Sequence, residues 1–212
     1  MTQNRVLSQS VDNGGVAISP AQAGKNAVIN GGFDIWQRGT SSSGTAYLAD
    51  RWYTILSSGT GTFAQESTVV PSGANYSLKF TASSTAQAYI FQAVETLNVL
   101  PLAGKTVTLS GLVAASTSTG FTAEIQYSTL VDASVTAVYT TIAATTGGTA
   151  TATSTTFVPI VGTFAIPSNA KTLRIRLYTT STIATSVVVY WGNFQLELGS
   201  CLLYTSPSPR DG

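Results

Sequence analysis

Residues 121–127 read Phe-Thr-Ala-Glu-Ile-Gln-Tyr, so that apolar or aromatic residues alternate with polar ones. A period of two places successive side chains on opposite faces of a β-strand. We therefore predict a strand with one face on a core and the other outward. The inward set is Phe121, Ala123, Ile125 and Tyr127, and the outward set is Thr122, Glu124 and Gln126.

Other segments repeat this alternation. In Leu173–Tyr178, the leucine and isoleucine side chains are predicted to point inward, which leaves Arg174, Arg176 and Tyr178 outward. In Lys105–Val113, the inward set is Val107, Leu109, Gly111 and Val113. The run Val187–Trp191 is apolar on both faces, which indicates a central strand covered on both sides or one edge of a subunit interface.

Turn-forming residues separate about ten such segments, as is typical of sandwiches and jelly rolls. We therefore predict an all-β fold, an antiparallel β-sandwich of the jelly-roll type. The predicted strands are Arg51–Leu56, Phe63–Val70, Ser77–Thr81, Ala88–Val94, Lys105–Ala115, Phe121–Ser128, Val135–Ile142, Thr156–Ile166, Thr172–Thr179 and Ser186–Leu196. The low-complexity stretch Thr140–Thr156 could equally be a loop.

Composition excludes several functions. Only 9% of residues are charged and the net charge is +1, with no run of Lys or Arg, so we expect no nucleic-acid partner. No apolar stretch is long enough to insert into a membrane, and residues 1–10 lack the apolar core of a signal peptide. There is no His, which excludes Ser-His-Asp and Cys-His nucleophiles, and zinc sites of the usual type are not expected.

The two ends of the chain differ from its centre. Residues 1–25 are polar and Gly-containing, and we interpret them as a linker or attachment arm. Residues 201–212, Cys-Leu-Leu-Tyr-Thr-Ser-Pro-Ser-Pro-Arg-Asp-Gly, resemble the translation of sequencing-adapter DNA. We therefore expect a jelly-roll domain over residues 26–200, truncated at its C-terminal end, followed by a non-native tail whose Cys201 has no role.

Two motifs near the start are the most specific features: Asn30-Gly-Gly-Phe-Asp-Ile-Trp-Gln-Arg-Gly39 and Tyr47-Leu-Ala-Asp-Arg-Trp52. They resemble the opening of a family of phage tail-fibre and virion-appendage domains. Three later segments resemble the same family, and the likeness covers about residues 26–200. These segments are Gly104–Ser110, Thr163–Pro167 and Trp191–Ser200.

The resemblance implies a galactose-binding-like jelly roll, similar in shape to carbohydrate-binding modules. It also implies a virion location on a tail appendage, a host-surface glycan and other virion subunits as partners, and a homotrimer. Because one fold serves many functions, the step from this fold to sugar binding is an analogy.

The same motifs also have a structural interpretation. Arg can pair with a carboxylate and stack on an aromatic ring, so this cluster is predicted to pin the entering segment across one end of the sandwich. The predicted structural residues are Asn30, Asp34, Trp36, Arg38, Asp50, Arg51 and Trp52. A ligand role for Trp36, Arg38 or Trp52 is the alternative. Asp34 with Asp50 as a glycosidase pair is weaker, because each has an arginine nearby, and we predict no catalytic residue.

Sugar recognition combines an aromatic platform with planar polar groups. The outward sets supply such groups if the two strands are neighbours: Glu124, Gln126, Arg174, Arg176 and Tyr178. An ordinary solvated sheet face is the alternative. Tyr53 and Tyr89 are further aromatic candidates, for which packing is the more frequent role.

We expect no cofactor. A structural Ca²⁺ could use oxygens of Asp34, Asp132 or Glu197, although no spacing singles them out, and the metal site is left open. The predicted function is non-catalytic glycan binding during adsorption. The alternatives are a purely structural virion domain and a non-catalytic module of a larger glycan-degrading protein.

Overall fold

The structure is a computed structural model that describes residues 25–200 and two short strands before them, β1 (Ser10–Val11) and β2 (Ala17–Ile18), which pair with each other. Two antiparallel sheets of seven strands each pack face to face as a sandwich. The predicted all-β jelly roll is therefore confirmed. The predicted 201–212 tail and most of the 1–25 arm lie outside the described residues.

Sheet I contains the strand with the alternating sequence Phe121–Tyr127. In spatial order its strands are β11 (Thr140–Ile142), β10 (Thr119–Ser128), β15 (Thr172–Thr179), β8 (Gln87–Val94), β5 (Tyr53–Ser58) and β4 (Ala46–Tyr47), and β13 (Thr149–Ala152) also pairs with β10.

Sheet II packs against the inner face of sheet I. In spatial order its strands are β12 (Ala144–Gly147), β14 (Val158–Ala165), β9 (Thr106–Ala115), β16 (Val188–Leu198), β7 (Ser77–Ala82), β6 (Gly61–Glu66) and β3 (Ser41–Ser42). The one described helix, α1 (Thr96–Val99), is a single turn after β8. Among the described residues, no helix has the length and apolar character that a membrane span requires.

The predicted faces are confirmed in β10, β15 and β9. Phe121, Ala123 and Ile125 are buried, and so are Leu173, Ile175 and Leu177. Trp191 of β16 is fully buried at the centre, where its ring meets Phe121 edge-on at 5.9 Å. Burying such a side chain contributes about 2 kcal/mol or more to folding.

The apolar run in β16 is a central strand. It lies between β9 and β7, so both of its edges are paired. Tyr190, which points away from the core, is only 7% exposed and contacts Phe157 at a centroid distance of 6.5 Å. A side chain at Gly192 would meet Pro71. Loops of the same chain therefore cover the outer face of this strand, as the first of the two interpretations predicted.

Two predicted strands were too long. Phe63–Val70 is observed as β6, which ends at Glu66. Only residues 140–142 of the predicted strand Val135–Ile142 are extended, because Tyr139 and the Val135 carbonyl turn back to bind Arg174 of β15. The low-complexity stretch, for which the sequence left loop and strand open, forms two further strands, β12 in sheet II and β13 in sheet I. Gly147 and Gly148, both with positive φ, make the turn that carries the chain between the sheets.

Candidate functional site

The segment that enters the domain is held by amide side chains. Asn30 accepts a hydrogen bond from the Ile35 backbone N–H at 3.0 Å and donates to the carbonyls of Ile35 and Asp50 at 3.0 and 3.1 Å. Gln92 of β8 makes two 2.8 Å bonds to the backbone of Ile29. These bonds join the two sequence motifs and fix them to the edge of the core.

The predicted pinning of this segment by acid–base pairs within the motif was wrong. Among the described residues, no ion pair joins Asp34 or Asp50 to Arg38 or Arg51. Arg51 instead pairs with Glu95, which follows β8. The side chain of Asn30 holds the segment instead, through hydrogen bonds to backbone groups of both motifs.

The remaining motif residues divide into core and surface. Trp52 is fully buried against Phe33, and its indole donates a 2.9 Å bond to the Asn30 carbonyl, so a ligand role is excluded by burial. Trp36 is half-buried and donates to the Phe33 carbonyl. Arg38 is exposed and lies 5.3 Å from the centroid of the Tyr47 ring.

The five predicted ligand-binding residues lie together on the outward face of sheet I. Strands β10 and β15 are neighbours, with Glu124 opposite Arg176 and Gln126 opposite Arg174. Tyr178 lies opposite Tyr89 of β8, and their rings stack at 4.8 Å with an interplanar angle of 13°. Two strands distant in sequence thus form one polar and aromatic surface.

Glu124 is the acceptor at the centre of this surface. It accepts a 2.8 Å bond from Arg176 Nη2, a 3.0 Å bond from Thr141 Oγ1 and a longer 3.4 Å bond from the Tyr178 hydroxyl. The Arg176 guanidinium lies 4.7 Å from the Tyr178 ring centroid and 5.5 Å from that of Tyr89. The ion pair and the ring stack therefore hold each other in one arrangement before any ligand arrives.

Arg174 is more enclosed and has no carboxylate partner among the described residues. Its guanidinium lies between the rings of Phe91 and Tyr139, at 5.0 and 4.4 Å from their centroids. It donates from Nε to Gln126 Oε1 at 2.7 Å and from Nη1 to the Val135 carbonyl at 2.7 Å. Burial lowers the pKa of Arg174 from its usual value.

Gln126 holds the Arg174 guanidinium in place by accepting its hydrogen bond. It is 5% exposed, and its amide nitrogen donates to Thr141 Oγ1 at 3.0 Å. Both ends of the amide are used within the protein, which leaves Gln126 a positioning role rather than a direct contact with a ligand. Beside it, burial raises the pKa of the Tyr139 hydroxyl to about 12, although the charge of Arg174 acts in the opposite direction.

Sequence reasoning missed three of the residues that complete the surface, which are Phe91, Tyr139 and Tyr47. It named Tyr53 only as a further aromatic candidate. The rings of Tyr47 and Tyr53 meet at 5.0 Å on β4 and β5, and Tyr53 lies opposite Phe91. Alternation in β8 could have identified Phe91, since it is two residues from Tyr89. Nothing local could have identified Tyr139, which reaches the surface through a loop.

A groove of about 640 Å³ begins where this surface meets one end of sheet I. Its floor includes Ala93, which lies opposite Arg174, and one wall includes Val135, whose carbonyl binds that arginine. We call it the end groove. It is lined by Gln37, Arg38, Tyr47, Asp50, Arg51, Ala93, Glu95 and Asp132 to Val135.

The arrangement suits binding by hydrogen bonds and ring contacts. Asp34 accepts a 3.3 Å bond from Asn75 Nδ2, whereas Asp50 lines the end groove, so the two lie in different surroundings. Within residues 25–200, no group of three or more metal-binding side chains comes together. One carboxylate oxygen of Asp132 already accepts a 2.8 Å hydrogen bond from the Thr96 N–H. Calcium binding by Asp34, Asp132 or Glu197 remains only a prediction.

Comparison with known proteins places the fold among carbohydrate-binding modules. No protein-family model matches the chain, and no curated protein matches its sequence. The tandem CBM22-1–CBM22-2 domain of Paenibacillus barcinonensis Xyn10C is 15% identical with a TM-score of 0.53, and the match covers 91% of this chain and 50% of that one.

Two further solved structures are similar over single modules. The C-terminal family 22 carbohydrate-binding module of Clostridium thermocellum Xyn10B is 19% identical with a TM-score of 0.50, covering 76% of this chain and 99% of that one. TmCBM61, solved with β-1,4-galactotriose, is 9% identical with a TM-score of 0.50, covering 82% and 99%. At these identities the likeness establishes one thing, that the chain has the jelly-roll fold of carbohydrate-binding modules.

Proposed function

We propose that this domain binds carbohydrate without breaking bonds, through the outward face of sheet I. The observation that carries the proposal is the fixed cluster of Glu124, Arg176, Tyr178 and Tyr89 on a partly exposed sheet face. Carboxylate and guanidinium groups can form directed hydrogen bonds to sugar hydroxyls, and aromatic side chains can pack on the apolar face of a sugar ring.

The cluster keeps capacity for a ligand. Arg176 has five N–H groups, of which the described contacts use one, and its side chain is 26% exposed. Because the side chains already restrain one another, little conformational entropy would be lost on binding.

The setting of this activity is inferred from the sequence motifs. We propose that the domain belongs to a phage tail appendage on the virion and contacts host-surface glycan during adsorption. The resemblance of residues 30–39 and 47–52 to that family supports this, and the carbohydrate-binding modules of like fold are consistent with it. Several copies in one virion, as in a trimer, would raise weak single-site affinity through avidity.

The test is binding of residues 26–200 to a glycan array that includes bacterial surface glycans, xylan and β-1,4-galactotriose, followed by host-cell binding. We expect saturable binding that is lost in Tyr178→Ala and Arg176→Ala. Tyr76→Ala, in the loop before β7 of sheet II, is the matched control and should bind normally. Absence of binding by folded wild-type protein would refute the proposal.

A second candidate function, assembly with other subunits, is favoured by an apolar patch near α1. Leu97 is 83% exposed, and Val131 on a neighbouring loop is 67% exposed. Reciprocal bonds between Thr96 and Asp132 hold the loop beside the helix. If this patch mediates assembly, Leu97→Glu should convert an oligomer to a monomer in analytical ultracentrifugation, while Thr146→Glu on the exposed edge strand β12 should not.

A further inference from the structure

The end groove contains three of the four charged residues of the two sequence motifs, none of which the proposed sheet-face site uses. Arg38 comes from the first motif, and Asp50 and Arg51 come from the second. The Asn30 side chain joins these motifs, and the Asp50 N–H donates to the Ile35 carbonyl at 2.9 Å. One wall of the groove is therefore built by backbone bonds that do not depend on a ligand.

Hydrogen bonds also fix a second part of the groove lining, around Asp132. Asp132 and Thr96 exchange two hydrogen bonds of 2.8 and 2.9 Å, which hold the 129–135 loop against α1. Arg51 and Glu95, which also line the groove, form an ion pair. Arg51 has φ of 73°, a conformation that costs a bulky residue about 1 kcal/mol or more and persists only where the surroundings enforce it.

Within these walls, several polar side chains have no partner among the described residues. The side chains of Gln37 and Asp50 make none of the described hydrogen bonds, and Arg38 contacts only the Tyr47 ring. They offer a guanidinium, an amide and a carboxylate beside an aromatic ring that is 39% exposed. Donors, acceptors and a ring in one groove are the groups that bind the hydroxyls and apolar faces of sugars.

The charges indicate which class of glycan fits. Across the sheet face and the end groove, the cations are Arg38, Arg51, Arg174 and Arg176, and the anions are Asp50, Glu95, Glu124 and Asp132. The formal charges cancel, so the combined surface has no excess cation to attract a polyanion. The equal numbers of cations and anions favour an uncharged glycan, which the protein would recognise through hydrogen bonds.

We propose that the end groove is a second subsite for the same glycan, so that the domain binds an uncharged oligosaccharide that crosses the sheet face and ends in the groove. From Tyr178 to Arg174 the face extends about 13 Å along β15, and the groove begins beyond Arg174 at Ala93. A single sugar could occupy only one part of this surface. This proposal rests on the proposed function, because it assumes that the sheet face binds sugar.

The experiment measures affinity against ligand length by isothermal titration calorimetry. The probes are xylo-oligosaccharides and β-1,4-galacto-oligosaccharides of two to six sugars, with fragments of the same lengths from the bacterial glycan that binds best on the array. The proteins are wild type, Arg38→Gln and Asp50→Asn for the groove, Tyr178→Ala for the sheet face, and Lys171→Gln as an exposed control outside both.

We expect wild-type affinity to rise with length and then level off. The groove variants should bind the shortest oligosaccharide with wild-type affinity. Their affinity for the longest oligosaccharide should fall about tenfold, since each substitution removes a hydrogen bond between a charged group and the ligand. Tyr178→Ala should weaken every length. Acidic fragments that bind more tightly than neutral ones of equal length would contradict the inferred glycan class.

The two proposals fail differently. Wild-type binding that is independent of length, with groove variants indistinguishable from wild type, overturns the second subsite and leaves the sheet-face site intact. Absence of wild-type binding to all probes refutes the sheet-face site and the groove together. Circular dichroism and thermal unfolding of each variant establish that lost binding is not lost folding.

Discussion

The indole of Trp52 donates a 2.9 Å hydrogen bond to the carbonyl of Asn30, although the two residues belong to separate sequence motifs. Asn30 has φ of 54°, in the left-handed region that Asn tolerates better than most residues. The buried ring and the strained backbone therefore fix each other, and three bonds from the Asn30 side chain complete the junction.

Replacement of Asn30 by alanine should destabilise the domain strongly. The change removes three side-chain bonds and puts a residue with no αL preference at positive φ, so we expect a loss of about 2–4 kcal/mol in the free energy of unfolding. Urea denaturation measures it. Asn75→Ala, which loses only an exposed 3.3 Å bond to Asp34, is the matched control and should change stability by less than about 0.5 kcal/mol. Equal effects would contradict the assigned role of Asn30.

Replacement of Gly111 by alanine should overpack the core. A Cβ at this position in β9 would lie 2.3 Å from the Phe194 ring, which is 1% exposed and cannot move into solvent. We expect a cost of about 1–3 kcal/mol in thermal or urea unfolding. Gly44→Ala is the control, because a Cβ there meets nothing within 4 Å. A neutral Gly111→Ala would show that Phe194 can repack.

Acid should weaken the outer edge of sheet II through Glu66. Burial alone would raise the pKa of this carboxyl, but the Lys79 ammonium at 2.7 Å and the N–H groups of Thr68 and Val69 outweigh it and lower the pKa to about 2. A lowered folded-state pKa stabilises the fold above the unfolded value of 4.5, and this contribution is lost as pH falls from there through about 2.

Thermal unfolding from about pH 6 to about pH 2 tests this assignment. Glu66→Gln cannot titrate, so its melting temperature should fall less steeply on acidification than that of wild type. Lys79→Gln removes the main favourable charge and should also flatten the profile. Parallel curves for all three proteins would show that Glu66 does not carry this part of the acid sensitivity.

Arg174 should not be replaceable by lysine. Lysine keeps the charge but cannot make the bond pattern to Gln126 and the Val135 carbonyl, nor stack between two rings as a planar group. We expect Arg174→Lys to lose about 1–3 kcal/mol of stability and to release the Tyr139 loop. Faster hydrogen exchange at residues 135–139 measures the release, and exchange in β9 serves as the internal reference. Unchanged exchange would contradict the bridging role.

Much of the fold could be predicted from the sequence because alternation is a local property. The predicted strand Phe121–Ser128 is observed as Thr119–Ser128, and Thr172–Thr179 is observed with the predicted bounds. Their inward and outward faces follow the period of two. The neighbouring positions of β10 and β15 were assumed rather than derived. Glu124 and Arg176 lie opposite each other because of the register between these two strands, which the sequence pattern does not determine.

The errors share a physical cause, since each depends on contacts between segments far apart in the chain. Arg51 has Asp50 beside it in sequence, yet pairs with Glu95, 44 residues away. Tyr139 leaves its predicted strand because Arg174 supplies a cation for its ring. Alternation gives no information on either contact, and the end groove, which both segments border, was accordingly not predicted.

The contact between the first and last segments of the domain has a mechanical consequence. The Ala27 N–H donates to the Leu196 carbonyl at 2.9 Å, and the Gly199 N–H donates to the Thr106 carbonyl at 2.8 Å. A load that enters at residue 25 and leaves at residue 200 is therefore borne by adjacent backbone groups at one end of the sandwich. Strands β10 and β15 lie outside this direct path, so the surface they carry would keep its shape under tension.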